Sequence, residues 1–482
     1  MSIVLERPLL LPHALARRHL AGDVRLVVIH DTDRLVHHRV SERTWAVLSA
    51  MDGTRDVAGL VAYAALLGVT VSDAEVLELV ADLGENGLVG ERRAERKEAE
   101  AKPAASADLP IRQLPGFSFA CDGKGGCCRF YPTIAFSPLD AARARSHQPG
   151  VLDGGVDETR VFLPMAGHAR NMLAVTLVNG RCAYLQDDLG CGIHAVSGAN
   201  QKPLGCRTYP ARFIDDGEAI RVAPWLECAC IFKSGTSPSD TGAPLLDGTL
   251  TRRSALDPAF FIESLPLEVL VGSGRRASRS EVVRWADAVA EAPLGTDGVA
   301  VFLALSRALE LYGLDASASR DALAAPPAAT EGDFQAALLA FTPHAERFAA
   351  ETWRAPNDLV RVTTTALSSS VSLLGSLADE LVAGPGSEAE RFYVRAVLFG
   401  HQLVQPKALR PMSLLAFDRA FRLLLARSLA VVASLADLED PTFQWPIALI
   451  DASLRGYGLS IYIRDLAVDA SDAVEQSQSL LK

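Results

Sequence analysis

Residues 119–132 read FACDGKGGCCRFYP, and three further stretches complete the pattern: RCAYLQDDLGCGIH at 181–194, PLGCRTYP at 203–210 and RVAPWLECACIF at 221–232. All eight cysteines, Cys121, Cys127, Cys128, Cys182, Cys191, Cys206, Cys228 and Cys230, lie in these four stretches. Such confinement points to ligation rather than to scattered core thiols. Cys127 and Cys128 are neighbours, so both reach one centre only if the backbone turns there. Gly123, Gly125 and Gly126 permit that turn and leave backbone N–H groups to face sulfur. Lys124, Arg129, Arg181 and Arg207 stand near cysteines, where positive charge favours the metal-binding thiolate. Arg129 and Arg207 would equally hold an anionic cosubstrate. Soft thiolates suit zinc, iron and iron–sulfur clusters, and a tetrahedral zinc or a 4Fe–4S cluster each takes about four of them. Eight cysteines suffice for two such sites, or for one with spares.

At 482 residues, 49% of them apolar, and with a formal net charge of -11, the chain has the length for two or three cored domains and is too acidic to coat nucleic acid. The N-terminal MSIVLERPLLLPHALARRHL has its apolar run broken by Glu6 and Arg7 and no small-residue cleavage site, so export is not expected. The longest apolar helical stretch, around Met412 to Leu435, is interrupted by Asp418, Arg419, Arg422 and Arg427, and no membrane span is expected. The expected location is cytoplasmic, where thiols stay reduced and serve as ligands rather than disulfides.

Residues 1–90 read as one small α+β unit. RLVVIH at 25–30 and RLVHHRV at 34–40 are β-branched runs separated by Asp31, Thr32 and Asp33, a hairpin signal. Ser41 caps a helix over ERTWAVLSAM that stops at Asp52-Gly53, and a second helix covers about 56–67, ending at Gly68. Ser72-Asp73-Ala74-Glu75 is a capping box opening a third helix, in which Val76, Leu77, Leu79, Val80 and Leu83 are expected to form the buried stripe. His30, His37 and His38 are expected as strand surface residues. The stretch 91–110, poor in large apolar side chains, reads as a linker.

Residues 111–235 read as a loop-rich metal-binding domain supported by short strands such as MLAVTLV at 172–178, with ligation supplying cohesion. By composition 236–248 is a second linker, and 249–482 reads as an α-helical domain. Its segments near 278–291, 297–313, 332–353, 357–383, 387–405, 413–437 and 446–467 carry helical apolar spacing, with breaks such as Gly384-Pro385-Gly386. Phe334, Leu338, Leu339 and Phe341, and Phe417, Phe421, Leu424 and Leu425, are expected core positions. His344 and His401 are expected on helices, as surface or satisfied histidines. The fold class expected is an α+β multidomain protein.

Two resemblances sharpen these expectations. RPLL at 7–10, MDGTRDVAGL at 51–60 and LGENGLV at 83–89 resemble in their order the PqqD-like peptide-recognition fold, a winged-helix relative. That resemblance implies capture of a peptide as an added strand at a sheet edge. FACDGKGGCCRF, GRCAYL, GCGIH and PLGCRTYP resemble the YkgJ-type cysteine-cluster family, described as zinc- or iron-chelating, which implicates Cys121, Cys127, Cys128, Cys182, Cys191 and Cys206 as ligands. That family usually has a further cysteine before the doublet, where Lys124 or Gly125 stands here, and an aromatic residue where His194 stands. Cys191-Gly-Ile-His194 also resembles half a zinc site.

RVAPWLECACIF adds Cys228 and Cys230 and, with the long helical C-terminal part, is similar to the flagellin lysine-N-methylase-like subset of that family. The likeness implies an iron–sulfur cluster, S-adenosylmethionine as methyl donor and a peptide or protein lysine as acceptor. A lysine amine must lose its proton before attack, and Asp187, Asp188 and Tyr209 lie near the cysteines in sequence, where structural roles compete with proton transfer. Neither a G-x-G-x-x-G after a strand nor a C-x-x-x-C-x-x-C motif is present. The competing expectations are a non-catalytic metal-binding structural or interaction protein and an electron-transfer or metal-delivery factor.

Overall fold

The computed structural model describes residues 5–11, 13–21, 24–31, 36–91, 108–123, 125–130, 134–147, 161–165, 172–237, 242–258, 260–327, 386–404, 410–435 and 444–455. The fold is mixed α/β, with several small sheets. Among the described residues no helix is long and apolar enough to cross a membrane. Two compact units emerge: one lies within Met1–Ser106 and Cys128–Arg207, the other within Ala107–Cys127, Thr208–Arg354 and Val360–Lys482. The stretch 111–235 thus contributes to both, and it passes from one unit to the other between the adjacent Cys127 and Cys128 and back between Arg207 and Thr208.

In the first unit the hairpin forms as Val24–Asp31 against Val36–Val40. It extends to a five-stranded sheet through Ala14–Ala21, Leu177–Val178 and Arg181–Cys182, in that order. Ala14–Ala21 is hidden in the sequence because its interior is ALARRHLA, yet Arg17 is fully buried and His19 nearly so. Helices Glu42–Leu48, Val57–Leu66 and Asp73–Glu85 follow, capped by Ser41, Asp56 and Ser72, the last with its reciprocal Glu75 contact. Each cap satisfies an N–H that the first helical turn leaves without a partner. Trp45, Leu48, Leu60, Val76, Val80 and Leu83 join Val27 and Ile29 of the sheet in one core. Leu77, expected in the buried stripe, is 46% exposed, because Val76, Val80 and Leu83 fix the inward face and Leu77 is turned off it. His38 lies on Val36–Val40 opposite Ile29. A three-stranded sheet, Ala135–Phe136, Leu173–Val175 and Phe162–Pro164, completes the unit.

The second unit is built on the sheet Ile262–Ser264, Ala211–Asp215, Ile220–Pro224 and Ile111–Gln113. Leu246, inside the expected linker 236–248, is buried against Phe213, Ile220 and Val222, and its backbone exchanges two hydrogen bonds with the Gln113 amide, at 2.8 and 3.1 Å. Small residues resembling a linker there cover a sheet face. The stretch expected to be helical from 249 begins with strands, Ile262–Ser264 and the hairpin Glu268–Gly272 with Arg275–Ser278. Helices Arg279–Ala290, Gly298–Tyr312, Ala316–Ala324, Glu388–Phe399, Met412–Leu435 and Pro446–Arg455 follow. The helices expected near 332–353 and 357–383, the end of 446–467, most of 91–110 and His344 lie outside the described residues.

The charges that interrupt Met412–Leu435 are engaged inside the unit. Arg422 pairs with Asp418 at 2.7 Å and Asp451 at 2.5 Å, and Arg419 bonds the Tyr393 hydroxyl at 3.0 Å. Arg427 pairs with Glu390 at 2.7 Å and Asp297 at 2.9 Å, and Glu390 also accepts the Gly298 N–H at the start of its helix. Phe417, Phe421, Leu424 and Leu425 are buried as expected. His401 sits beyond the helix Glu388–Phe399 rather than on it, with positive φ, and faces Asp216 at 3.5 Å. Asp216 is paired with the buried Arg221 at 2.6 Å.

Burial lowers the His401 pKa below its ordinary value, although the Asp216 carboxylate opposes the shift. A folded histidine with lowered pKa resists a proton that the unfolded chain accepts. Its stabilising contribution is therefore full above the ordinary histidine range and is lost as pH falls through it. Urea midpoints measured between pH 8 and pH 5 are expected to fall, and to fall less in His401→Asn; an equal fall in both proteins contradicts this account.

Candidate metal centre

Helix Ala229–Thr236 organises the sulfurs of the second unit. The strand Ile220–Pro224 ends at Trp225, whose carbonyl accepts the Cys228 N–H at 3.2 Å, and Cys228 becomes the N-cap of the helix. Ile231 and Phe232 are fully buried, and Phe232 packs against Phe392 and Trp445 at ring separations of 5.9 and 6.3 Å. Burying two such side chains contributes about 1.5–3 kcal/mol each. A Cβ at Gly235 would lie 2.3 Å from Phe392, so only glycine admits this approach.

The 119–122 segment is clipped to the same helix. Phe119 exchanges backbone hydrogen bonds with Ala243, at 2.7 and 2.9 Å. The Ser234 hydroxyl accepts the Ala120 N–H at 3.0 Å and donates to the Cys230 carbonyl at 2.8 Å. The clip places Cys121 Sγ, Cys230 Sγ and an Asp122 carboxylate oxygen within 4.8 Å of one another. The Cys230 thiol donates to Asp122 at 3.1 Å, and the Gly123 N–H donates to Cys121 at 3.4 Å. Cys228, two residues earlier at the N-cap of the helix, is buried as well. Two thiols and one carboxylate therefore form the close group, with Cys121 and Asp122 exposed and Cys230 buried.

Asp122 is the member of this group that sequence reasoning missed. Its only signal is its place directly after Cys121 and before the glycines, since aspartate is common in turns. The donor set suits a soft or borderline cation. Without one, hydrogen bonding to Cys230 and burial of the sulfur push the Cys121 thiol well above the ordinary thiol range. The Cys121 contact favours the Cys230 thiolate, but Cys228 and burial outweigh it and Cys230 is raised as well. Crowded thiols resist ionisation because each thiolate repels the next, and a bound cation reverses that repulsion.

The other expected ligands are not members of that close group. Cys127 and Cys128 share the helix Gly126–Phe130 on either side of the division between units. Cys182 and Cys191 flank one tight loop of the first unit, held by Leu185 N–H to the Cys182 carbonyl at 2.9 Å and by a bridge from Leu185 to Cys191. Tyr184 pins that loop, its hydroxyl donating to the Ala144 carbonyl at 2.9 Å and its ring packing on Phe136 and Phe162. Cys206 lies on the helix Leu204–Thr208 with Arg207, which is exposed, whereas Arg129 is buried. Asp188 is engaged by the Gly190 N–H at 2.8 Å, and His194 is exposed on Gly192–Ser197. Among the described residues, no other group of three histidine, cysteine or acidic ligand atoms lies within 4.8 Å of one another. Each unit holds four cysteines, and none of the eight forms a disulfide.

Comparison with family models, curated proteins and solved structures gave no match.

Two expected outcomes follow from this geometry. Gly235→Ala, which forces a methyl into the Phe392 ring, should cost about 1–3 kcal/mol of stability and lower the thermal midpoint in calorimetry. Because protonated thiols must release protons to a cation, zinc affinity measured against a chromophoric chelator should rise by about tenfold per pH unit for each proton displaced; an affinity independent of pH would count against these thiols as ligands.

Proposed function

We propose that the protein is a thiolate metal protein whose centre in the second unit is formed by Cys121, Asp122, Cys228 and Cys230, taking zinc or iron or anchoring an iron–sulfur cluster. One observation carries this reading: the Ser234 clip brings Cys121 and Asp122 to Cys230, more than a hundred positions away, with the ligand atoms of these three within 4.8 Å of one another, and Cys228, two residues before Cys230, is the proposed fourth ligand. Three sulfurs and one oxygen make a four-ligand set. The exposure of Cys121 and Asp122 favours an accessible centre over a closed structural one. When bound, such a centre supplies Lewis-acid or electron-transfer chemistry; the chain's own residues hold its ligands in place.

We extend the proposal, on the sequence resemblance, to modification of a peptide or protein, with methyl transfer from S-adenosylmethionine to a lysine amine as the reaction. Three capped helices on a sheet that ends at Val36–Val40 support a PqqD-like peptide-recognition role for the N-terminal residues. A substrate strand would add at that edge. The opposite edge of the same sheet carries Cys182. Arg129 and Arg207 remain the proposed contacts for an anionic group of the methyl donor.

The full chain purified without oxygen, assayed for zinc, iron and acid-labile sulfide, tests the first proposal. Stoichiometric metal is expected, with Cys230→Ala losing most of it and Asp122→Asn weakening retention against a chelator about tenfold or more. Metal content that is absent, or unchanged in Cys230→Ala, overturns the centre. Colourless protein with tightly held zinc and no methyl transfer to a lysine peptide would instead assign the non-catalytic role.

A further inference from the structure

A second site lies in the second unit, at an open cleft of about 520 Å³ between the hairpin Glu268–Gly272 with Arg275–Ser278, the helix Arg279–Ala290 and the turn before Ala316–Ala324. Three guanidinium side chains line it, those of Arg275, Arg276 and Arg284. Val271, Trp285 and Leu314 supply an apolar surface beside them. That surface is held firmly: Trp285 is only 4% exposed, and its Nε1 donates to the Ser319 hydroxyl at 3.0 Å.

Each of the three guanidiniums has an acidic neighbour, Glu281 beside Arg284, Glu268 beside Arg276 and Glu310 beside Arg275. Glu281, the one carboxylate among the lining residues, is turned to its own helix start, where it accepts the Ser278 N–H at 2.7 Å and hydroxyl at 2.6 Å. Glu268 pairs with Arg276 at 2.6 Å, but both side chains are more than half exposed, and water and salt screen such a pair strongly. Glu310, which faces Arg275, is engaged by the Ser273 N–H at 3.0 Å and the Ser413 hydroxyl at 2.8 Å. Arg275 itself donates to the Leu311 carbonyl at 2.8 Å, which fixes its position while leaving its charge in the cleft. The three guanidiniums thus face one hollow beside an apolar wall, and each neighbouring acid is exposed or also engaged elsewhere.

We propose that this cleft binds a small organic anion, an oxyanion group attached to a flat or aliphatic body. Guanidinium forks match the geometry of carboxylate and phosphate oxygens, and the apolar floor takes the attached body. The volume falls within the range of small-molecule sites, about 300–1,000 Å³. The site shares no residue with the thiol group, so neither proposal depends on the other.

The test uses the full chain and the fluorescent anion 8-anilino-1-naphthalenesulfonate, with the uncharged N-phenyl-1-naphthylamine as its partner probe. The sulfonate should bind saturably and more weakly as salt rises. The double variant Arg276→Gln/Arg284→Gln should weaken it about tenfold or more, as expected for lost charge-assisted contacts, and leave the uncharged probe unchanged. Displacement of the probe by inorganic phosphate or by benzoate supports the site and tells which oxyanion it prefers. Both changed side chains are exposed, and circular dichroism with the single variant Arg284→Gln checks that the fold persists. Binding that does not saturate, is equal in wild type and double variant, or falls alike for both probes overturns the proposal.

Discussion

The seating of one short helix, Ala229–Thr236, governs the candidate centre. Ile231 and Phe232 bury its inner face, and Gly235 lets it approach Phe392 closely enough for the aromatic packing to close. With the helix so placed Ser234 reaches the Ala120 N–H, and that bond together with the Phe119–Ala243 pair brings Cys121 beside Cys230. The Cys121 and Cys230 thiols themselves contribute little to this convergence, since each is held toward its protonated form. Apolar burial and backbone and hydroxyl hydrogen bonds hold them in place, so the cost of ordering the loop falls on folding, and the proposed centre would need little further ordering.

The helical part of the second unit shows the complementary economy of charge. Arg419, Arg422 and Arg427 would each be expensive to bury alone, and each is instead matched to Asp451, Asp418, Glu390 or Asp297. Such pairs add little net stability over apolar packing, but they discriminate strongly against a helix shifted by a turn, which would strand every one of them. Glu390 does double duty, because the same carboxylate satisfies the Gly298 N–H that helix geometry leaves open.

What could be read from the sequence was what depends on neighbours in the chain. The caps at Ser41 and Ser72 and the hairpin of Val24–Asp31 with Val36–Val40 rest on local chemistry, and the cysteine spacing raised the expectation of a site. Ala14–Ala21 was not legible, because buried arginine and histidine make a sheet strand look like surface. The hairpin after Leu267 was overlooked although Val269, Leu270 and Val271 followed by Ser273-Gly274 are a strand and turn signal; the long helical pattern beyond it dominated the reading. Leu246 looked like linker because the small residues around it carry no periodicity, and its burial depends on a sheet face formed by residues far away. Asp122 was invisible for the same reason, since its partner is separated from it by more than a hundred residues.

The parallel pairing of Leu177–Val178 with Ala14–Ala21 bears on how the chain matures during synthesis. The hairpin and its three helices are complete once residue 91 has emerged, yet one flank of Ala14–Ala21 waits for backbone partners that are translated much later. Until then the nascent chain presents an open strand edge. A holding chaperone, or slow passage through this interval, would protect the newborn protein from pairing with its neighbours.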